Sequence, residues 1–458
     1  MKISKRVLKY VKENYSGVKH TTLNPEGPGV VRIHLIPPVV KEGEDIAPAV
    51  AIINGQDIIP VNLSWTILLS KFIDEVNRYS GHPVSEEETK QIVKDTCKRV
   101  RKVYPLLSSK IISGDIFTIM DTFKKIAYRQ EPDEEIGYMS MGEYAPYMRA
   151  PHRMDLMVST MTKDGKWNCN QQCLHCYAAG QEHAGETELS TDDWKKIIDR
   201  LREICVPQIT FTGGEPTMRE DLIDLIDYGQ WFVTRLNTNG QKLTKEYCSR
   251  LKDASLDSIQ ITFYSHDKDI HNKLVGADGF DKTLDGIKNA LEAGMSVSVN
   301  TPLCTLNKNY ADTLKFLHEL GVMYVTCSGL ITTGNAALPG SESLQLSKEE
   351  MSEILSSAVN FCHENEMEIS FTSPGWVDKE LCESLSIATP TCGACLSNMA
   401  VTPGGKAVPC QSWLSDDVLG DMLADDWSAI WEGEECRKRR EYSAQMSGMC
   451  PLRKGVIA

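Results

Sequence analysis

Three cysteines in one short stretch have a spacing suited to inorganic chemistry. Residues 167–180 read W-N-C-N-Q-Q-C-L-H-C-Y-A-A-G, so Cys169, Cys173 and Cys176 form a CxxxCxxC pattern. Three thiolates on a tight loop can hold three irons of a 4Fe-4S cluster and leave the fourth iron without a protein ligand. Electron-transfer clusters and structural zinc sites close with four ligands, whereas an open iron can bind a small molecule. The competing reading is a set of structural cysteines, such as a zinc knuckle.

Other residues have the types to serve such a site. I-T-F-T-G-G-E-P at 209–216 sets Gly213 and Gly214, which let a backbone approach a ligand, beside Glu215, which can meet a cation, and Pro216. R-L-N-T-N-G at 235–240 offers Asn237, Thr238 and Asn239, although turn chemistry alone also favours Asn and Gly. S-I-Q-I-T-F-Y at 258–264 alternates, with Gln260 and Thr262 on one face and apolar residues on the other. Asn300 ends another strand-like run. A second cysteine group comprises Cys392 and Cys395 in T-C-G-A-C, Cys410 beyond a P-G-G-K turn, and Cys450 in M-C-P-L-R, with Cys436 the rival for the fourth place. These thiolates would suit zinc or iron–sulfur equally. Cys97, Cys205, Cys248, Cys304, Cys327, Cys362 and Cys382 stand singly in apolar or helical patterns, as small buried hydrophobes do.

The elements that must position these residues alternate between strand and helix over residues 151–375, which predicts an α/β domain of parallel βα units. Strands are expected at 155–160, 207–212, 232–237, 257–263, 295–300, 322–327 and 367–371. Ser190 with Asp193 resembles a capping box, and helices end near Gly294 and Gly321. Each motif follows a strand, at the end where barrels of this kind carry chemistry. Tyr264, His266, Cys304 and Cys327 fall at the same end, where packing is the simpler explanation. Upstream, V-V-R-I-H-L at 30–35 and P-A-V-A-I-I-N-G-Q-D-I-I-P-V at 48–61 predict strands, with a hairpin at Asn54-Gly55. Helices are predicted from a cap at Ser64 and from Ser85. Residues 106–150 read as a helical linker. Residues 376–458 form a small C-terminal segment.

The cysteine loop after a strand, followed by G-G-E-P and T-N-G, resembles the radical S-adenosylmethionine (SAM) enzymes. The resemblance implies a partial (β/α)6 barrel in which Cys169, Cys173 and Cys176 hold a [4Fe-4S] cluster and the open iron chelates SAM. It implies that Gly213, Gly214, Glu215 and Pro216 meet the methionine end of SAM. Asn237, Thr238, Asn239, Gln260, Thr262 and Asn300 are candidates for further contacts. H-N-K-L-V-G at 271–276 departs from the family's H-D-x-I-R-G by lacking the arginine. The C-terminal segment resembles SPASM and twitch extensions, which carry auxiliary clusters. One auxiliary [4Fe-4S] cluster is expected here, on Cys392, Cys395, Cys410 and Cys450, since the position three before Cys450 is Ser447. Residues 1–105, a hairpin followed by helices, resemble the winged-helix-like α+β RiPP recognition element, the leader-binding domain of many peptide-modifying radical SAM enzymes. That implies strand addition by the leader of a precursor peptide. The expected function is therefore a radical SAM oxidoreductase that matures a ribosomally made peptide, with flavodoxin or ferredoxin as electron donor. The second reading is a dehydrogenase or oxidase of a small molecule or tetrapyrrole, with the N-terminal domain structural.

Composition narrows the classes further. The 458 residues carry a net charge of -14, which argues against a nucleic-acid partner. K-R-V-R-K at 98–102 reads as a solvated helix face. No apolar run is long enough to span a bilayer, and the first residues lack a signal-peptide core, so a cytoplasmic protein without a membrane partner is expected.

Overall fold

The structure, a computed structural model, describes residues 10, 13–15, 17–23, 30–37, 49–55, 57–79, 82–128, 130–133, 135, 137–372, 377–415, 418–445, 448 and 450–452. The first nine residues and Ser447, both used above, lie outside the described residues. The chain divides into two compact units, residues 1–150 with 201–207, and residues 151–200 with 208–458.

The first unit opens on a four-stranded antiparallel meander: β1 (Lys19–Leu23), β2 (Val31–Ile36), β3 (Ala49–Ile53) and β4 (Asp57–Val61). The β3–β4 turn uses Asn54 at φ +48° and Gly55 at φ +67°, the two positive values that this hairpin requires. Three helices follow: α1 (Leu63–Val76), α2 (Glu86–Val103) and α3 (Ser109–Ala127). The cap of α1 is Asn62, whose side chain accepts from Trp65 N at 3.0 Å, rather than Ser64; the helix starts two residues earlier than expected, and the Asx side chain there satisfies one of its orphan donors. At α2 the reciprocal Ser85–Glu88 capping box forms. Strand β1 was not foreseen. Helix α3, expected as a linker, sends Ile112, Ile116, Ile119 and Phe123 into the core made by Val31, Ile33, Leu35, Phe72 and Val93, so the first unit continues to residue 150. Arg99, within the basic run, pairs with Glu75 at 2.5 Å.

The second unit is built on β5 (Arg153–Ser159), β6 (Gln208–Gly213), β7 (Val233–Thr238), β8 (Ser258–Thr262), β9 (Val297–Pro302), β10 (Tyr324–Ser328) and β11 (Glu368–Phe371), all parallel to their neighbours. Helices fill the intervals. Along the strands Leu156, Ile209, Phe211, Leu236, Ile259, Ile261 and Val299 are fully buried and form one face of the sheet. The opposite face carries Arg235, Asn237, Gln260, Thr262, Ser298, Asn300 and Thr326, which are only partly buried and line the lumen. A (β/α) barrel divides its two faces in this way. The C-terminal segment is not a separate body. Its strand β12 (Asn398–Val401) pairs in parallel with β5, and β13 (Lys406–Val408) and β14 (Gly420–Asp421) continue the sheet to ten strands. Among the described residues no helix is long and apolar enough to cross a membrane.

Candidate active site

The cysteine loop follows β5 and a short hairpin, Thr162–Lys163 with Lys166–Trp167. It is held from two sides. Helix α7, if the helices after α3 are counted as α4 (Thr191–Glu203), α5 (Leu222–Tyr228), α6 (Lys245–Asp253) and α7 (Lys268–Val275), offers its last carbonyls: Gln172 N donates to Val275 O and Leu174 N to Leu274 O, both at 2.9 Å. These are carbonyls that a helix C-terminus leaves without partners. Gly276 caps the helix at φ +63°, and a Cβ there would stand 2.3 Å from the Gln172 carbonyl oxygen. On the other side Asn335 donates from N to Cys176 O and from Nδ2 to Cys173 O, each at 2.9 Å. Gly334, at φ +56°, passes so near that a Cβ would lie 2.3 Å from Cys176 O. Leu274 and Val275, which replace the family's arginine region, thus serve through their backbone.

The three motifs form one hydrogen-bonded unit. Glu215 is 2 % exposed. Its carboxylate accepts from Thr217 N (3.1 Å), Thr217 Oγ1 (2.5 Å), Thr238 Oγ1 (2.6 Å) and Asn239 N (2.8 Å). Burial outweighs these bonds and keeps its carboxyl above the ordinary range. Asn239 Nδ2 in turn donates to Asn170 Oδ1 at 2.6 Å, inside the cysteine loop. The glycines before Glu215 are demanded by the chain itself. A Cβ on Gly213, at φ +140°, would stand 2.4 Å from Ser159 O, and one on Gly214 would meet Met161 Sδ at 2.9 Å. Pro216 begins a short 3-10 turn. Deeper in the lumen Gln260 Nε2 donates to Thr326 Oγ1 (3.3 Å), which donates to Asn300 Oδ1 (2.8 Å). Thr262 is paired across the sheet with Asn300, and Gln260 with Asn237.

The donor set fits a cluster. Burial pushes the thiol of Cys169 up to about 12 and raises those of Cys173 and Cys176 as well, so their thiolates call for a cationic partner. Among the described residues no three His, Cys, Asp or Glu converge closely enough for a single metal ion. Each of the three thiols lies within electrostatic reach of the other two, as the corners of one cluster require. Tyr264 is hydrogen-bonded to Cys173 and to His175 Nε2 (3.2 Å). Tyr177 lies within electrostatic reach of both Cys176 and Cys410. Neither tyrosine was singled out for this from the sequence, although Tyr177 directly follows the loop's last cysteine.

The C-terminal thiols gather as five rather than four. Cys410 feels Cys392 and Cys450; Cys395, at φ +56°, feels Cys410 and is hydrogen-bonded to Cys436. Their contact raises the thiol of Cys395 and lowers that of Cys436, which Arg440 also favours. Of the cysteines expected near the mouth, Cys327 faces the helices beside Cys362, while Cys304 packs under the loop with Tyr264, Leu274 and Cys173. His266 is tied to Thr313 at 3.1 Å.

Comparison with known proteins agrees with this geometry. Residues 168–320 match the radical SAM superfamily, and residues 392–451 match the SPASM iron-sulfur cluster-binding domain. The chain belongs to the radical SAM superfamily. It is an enzyme of that class, and its cofactors are SAM, a SAM-binding 4Fe-4S cluster and auxiliary iron–sulfur. It is 31 % identical over 301 residues to an AdoMet-dependent heme synthase of Oleidesulfovibrio alaskensis, covering 62 % of this chain and 76 % of the relative. Among solved structures it is similar to Streptococcus suis SuiB bound to precursor peptide SuiA (TM-score 0.57, 14 % identity, 85 % of this chain and 86 % of that one). It is also similar to anSMEcpe with bound AdoMet (TM-score 0.50, 15 % identity, 64 % and 83 %). At such identities the likeness is one of fold.

Proposed function

We propose that this chain modifies a residue of a ribosomally made precursor peptide by radical SAM chemistry. The observation that carries the reading is the extent of the likeness to SuiB. Residues 151–458 are about two thirds of the chain, so a match over 85 % reaches into the first unit. SuiB is seen with its precursor peptide. A small antiparallel sheet with open-ended strands, such as β1–β4, can take up a leader segment as an added strand.

SAM and the first cluster, when bound, would supply the radical chemistry for removing a hydrogen atom from substrate. The chain's own residues do the rest. Cys169, Cys173 and Cys176 hold the cluster. Glu215, fixed by Thr217, Thr238 and Asn239, sets the strand ends against the cysteine loop and presents negative charge to an ammonium group. Asn170 and Asn239 lock the two loops together. Gln260, Thr262 and Asn300 supply hydrogen bonds in the lumen. Cys392, Cys395, Cys410 and Cys450 would hold auxiliary iron–sulfur, a group able to accept an electron. Flavodoxin or ferredoxin delivers the reducing electron.

A second reading has its own support. The heme synthase relative aligns over 62 % of this chain, and it acts on a tetrapyrrole by its name. A small-molecule oxidase with a structural first unit would fit that alignment.

Coexpression with a short peptide encoded beside the gene decides between them. The maturase reading expects a mass change in that peptide, loss of two hydrogens for a cross-link, and none with Cys173→Ala, which should also abolish 5′-deoxyadenosine formation. An unmodified peptide, with turnover on a porphyrin instead, would overturn it.

A further inference from the structure

The floor of the lumen carries two guanidiniums beside one carboxylate, which also lies within electrostatic reach of Cys410. Arg153 binds Asp155 through Nε (2.8 Å) and Nη2 (3.3 Å), and the Asp155 side chain is 1 % exposed. One further guanidinium, Arg235, lies within electrostatic reach of both. The register places it: Asp155 pairs with Thr210, Thr210 with Arg235, and Arg235 with Ser258, so four adjacent strands present one row. Arg235 donates from Nε to Ser258 Oγ at 3.4 Å. Among the described residues its forked Nη end makes no hydrogen bond and no carboxylate pairs with it. Burial, and then Arg153, hold its guanidinium below the usual range. Two guanidiniums thus face one carboxylate.

One further polar atom points to a missing ligand. Thr210 Oγ1, a hydroxyl able to donate, is buried without a hydrogen-bond partner. Thr210 sits between Asp155 and Arg235 in the row. Buried polar atoms without partners are rare and ask for one. The row lies four residues below Asn239, which is about 13 Å at the rise of a parallel strand. It is therefore deep enough to hold a part of the substrate remote from the strand ends. Arg153 keeps its side chain 32 % exposed, so solvent reaches its end of the row, while Asp155 and Thr210 are buried.

We propose that Arg235 and Arg153, with Thr210, form a carboxylate-binding site on the floor of the barrel that anchors an acidic group of the substrate. The planar fork of arginine accommodates a carboxylate with two parallel hydrogen bonds, and the partly desolvated lumen strengthens the attraction. The Thr210 hydroxyl donates a third bond. Anchoring there fixes the distance between the acidic group and the reacting carbon. The inference rests on the reading that the lumen receives the substrate. The carboxylate has two sources: an Asp, Glu or C-terminus of a peptide, or the acid groups of a tetrapyrrole.

The test uses the full chain with its clusters reconstituted, and two probes: a capped Gly-Glu-Gly-Glu-Gly peptide, with its Gln counterpart as the neutral control, and coproporphyrin III. At least one acidic probe should bind the unaltered protein and bind Arg235→Gln about 10- to 100-fold more weakly, the effect of losing a charge-assisted pair of hydrogen bonds. Arg235→Lys, which keeps the charge but not the fork, should fall between and covers the case in which Arg235→Gln folds poorly by circular dichroism. The Gln peptide should not bind. Binding of the peptide alone or of the porphyrin alone identifies the source, and either supports the site. Equal binding to Arg235→Gln and the unaltered protein, or no binding of either acidic probe, overturns it. A porphyrin-only result would keep this site and overturn the peptide reading; a modified peptide with unchanged Arg235→Gln binding would do the reverse.

Discussion

Replacing Gly276 by alanine tests whether the end of α7 clamps the cysteine loop. A Cβ there would stand 2.3 Å from the Gln172 carbonyl oxygen, where ordinary contact begins at 3.4 Å, so loop and cap must part by roughly 1 Å. The left-handed φ of +63° costs a residue with a side chain about 1 kcal/mol. Parting the two weakens the bonds from Gln172 N and Leu174 N, both 2.9 Å long, at about 1 kcal/mol each. The total is about 3 kcal/mol, which is about a hundredfold in the population of the closed loop. Cys173 lies between those two bonds, so the first cluster should feel the change directly. Iron release to a chelator, followed anaerobically, is the assay. One cluster's worth of iron should leave Gly276→Ala about a hundredfold faster than the unaltered protein, while the C-terminal iron leaves at the old rate. Equal rates for both would refute the clamp.

Three further outcomes are expected. Burial lowers His271 to about 4, and its Nδ1 accepts from Tyr264 N, so it is neutral when folded. The unfolded chain then binds the extra proton between about pH 6.5 and 4, and stability should fall by about 1.4 kcal/mol per pH unit across that window as acid is added. Denaturant titrations of His271→Gln that keep the full slope would show the assignment to be mistaken. Tyr264→Phe removes a hydroxyl hydrogen bond to Cys173 and should shift the first cluster's potential about 40 mV more negative, the equivalent of about 1 kcal/mol; an unmoved potential counts against that bond. For the C-terminal cluster, Cys450→Ser should lose about four irons per chain and Cys436→Ser should keep them. The reverse pattern would give Cys436 the fourth place.

Much of the chemistry was legible because it depends on residues close in sequence. The CxxxCxxC spacing, the G-G-E-P turn and the strand-ending T-N-G each lie within a single loop, and local patterning carries such information. The alternation of Gln260 and Thr262 with Ile259 and Ile261 marked the two faces of β8 without any knowledge of its neighbours. The Asn54-Gly55 hairpin was legible for the same reason, since only the local backbone decides it.

Long-range register was not legible. That Gly276 and Gly334 serve the cysteine loop depends on which helix end and which later turn pack against it, and nothing in H-N-K-L-V-G or in T-G-N-A announces a partner a hundred or more residues away. Gly213 and Gly214, read as letting the backbone approach a ligand, also stand where a Cβ would meet Ser159 and Met161, which only the packing reveals. The charged row of Asp155, Thr210 and Arg235 joins residues from three strands, each unremarkable alone. Sequence determined which atoms could do chemistry and that barrel strands would carry them. Only the tertiary structure decided which atoms share a level of the lumen and which carbonyls hold the loop, because those depend on how strands align side by side, a relation that no single segment contains.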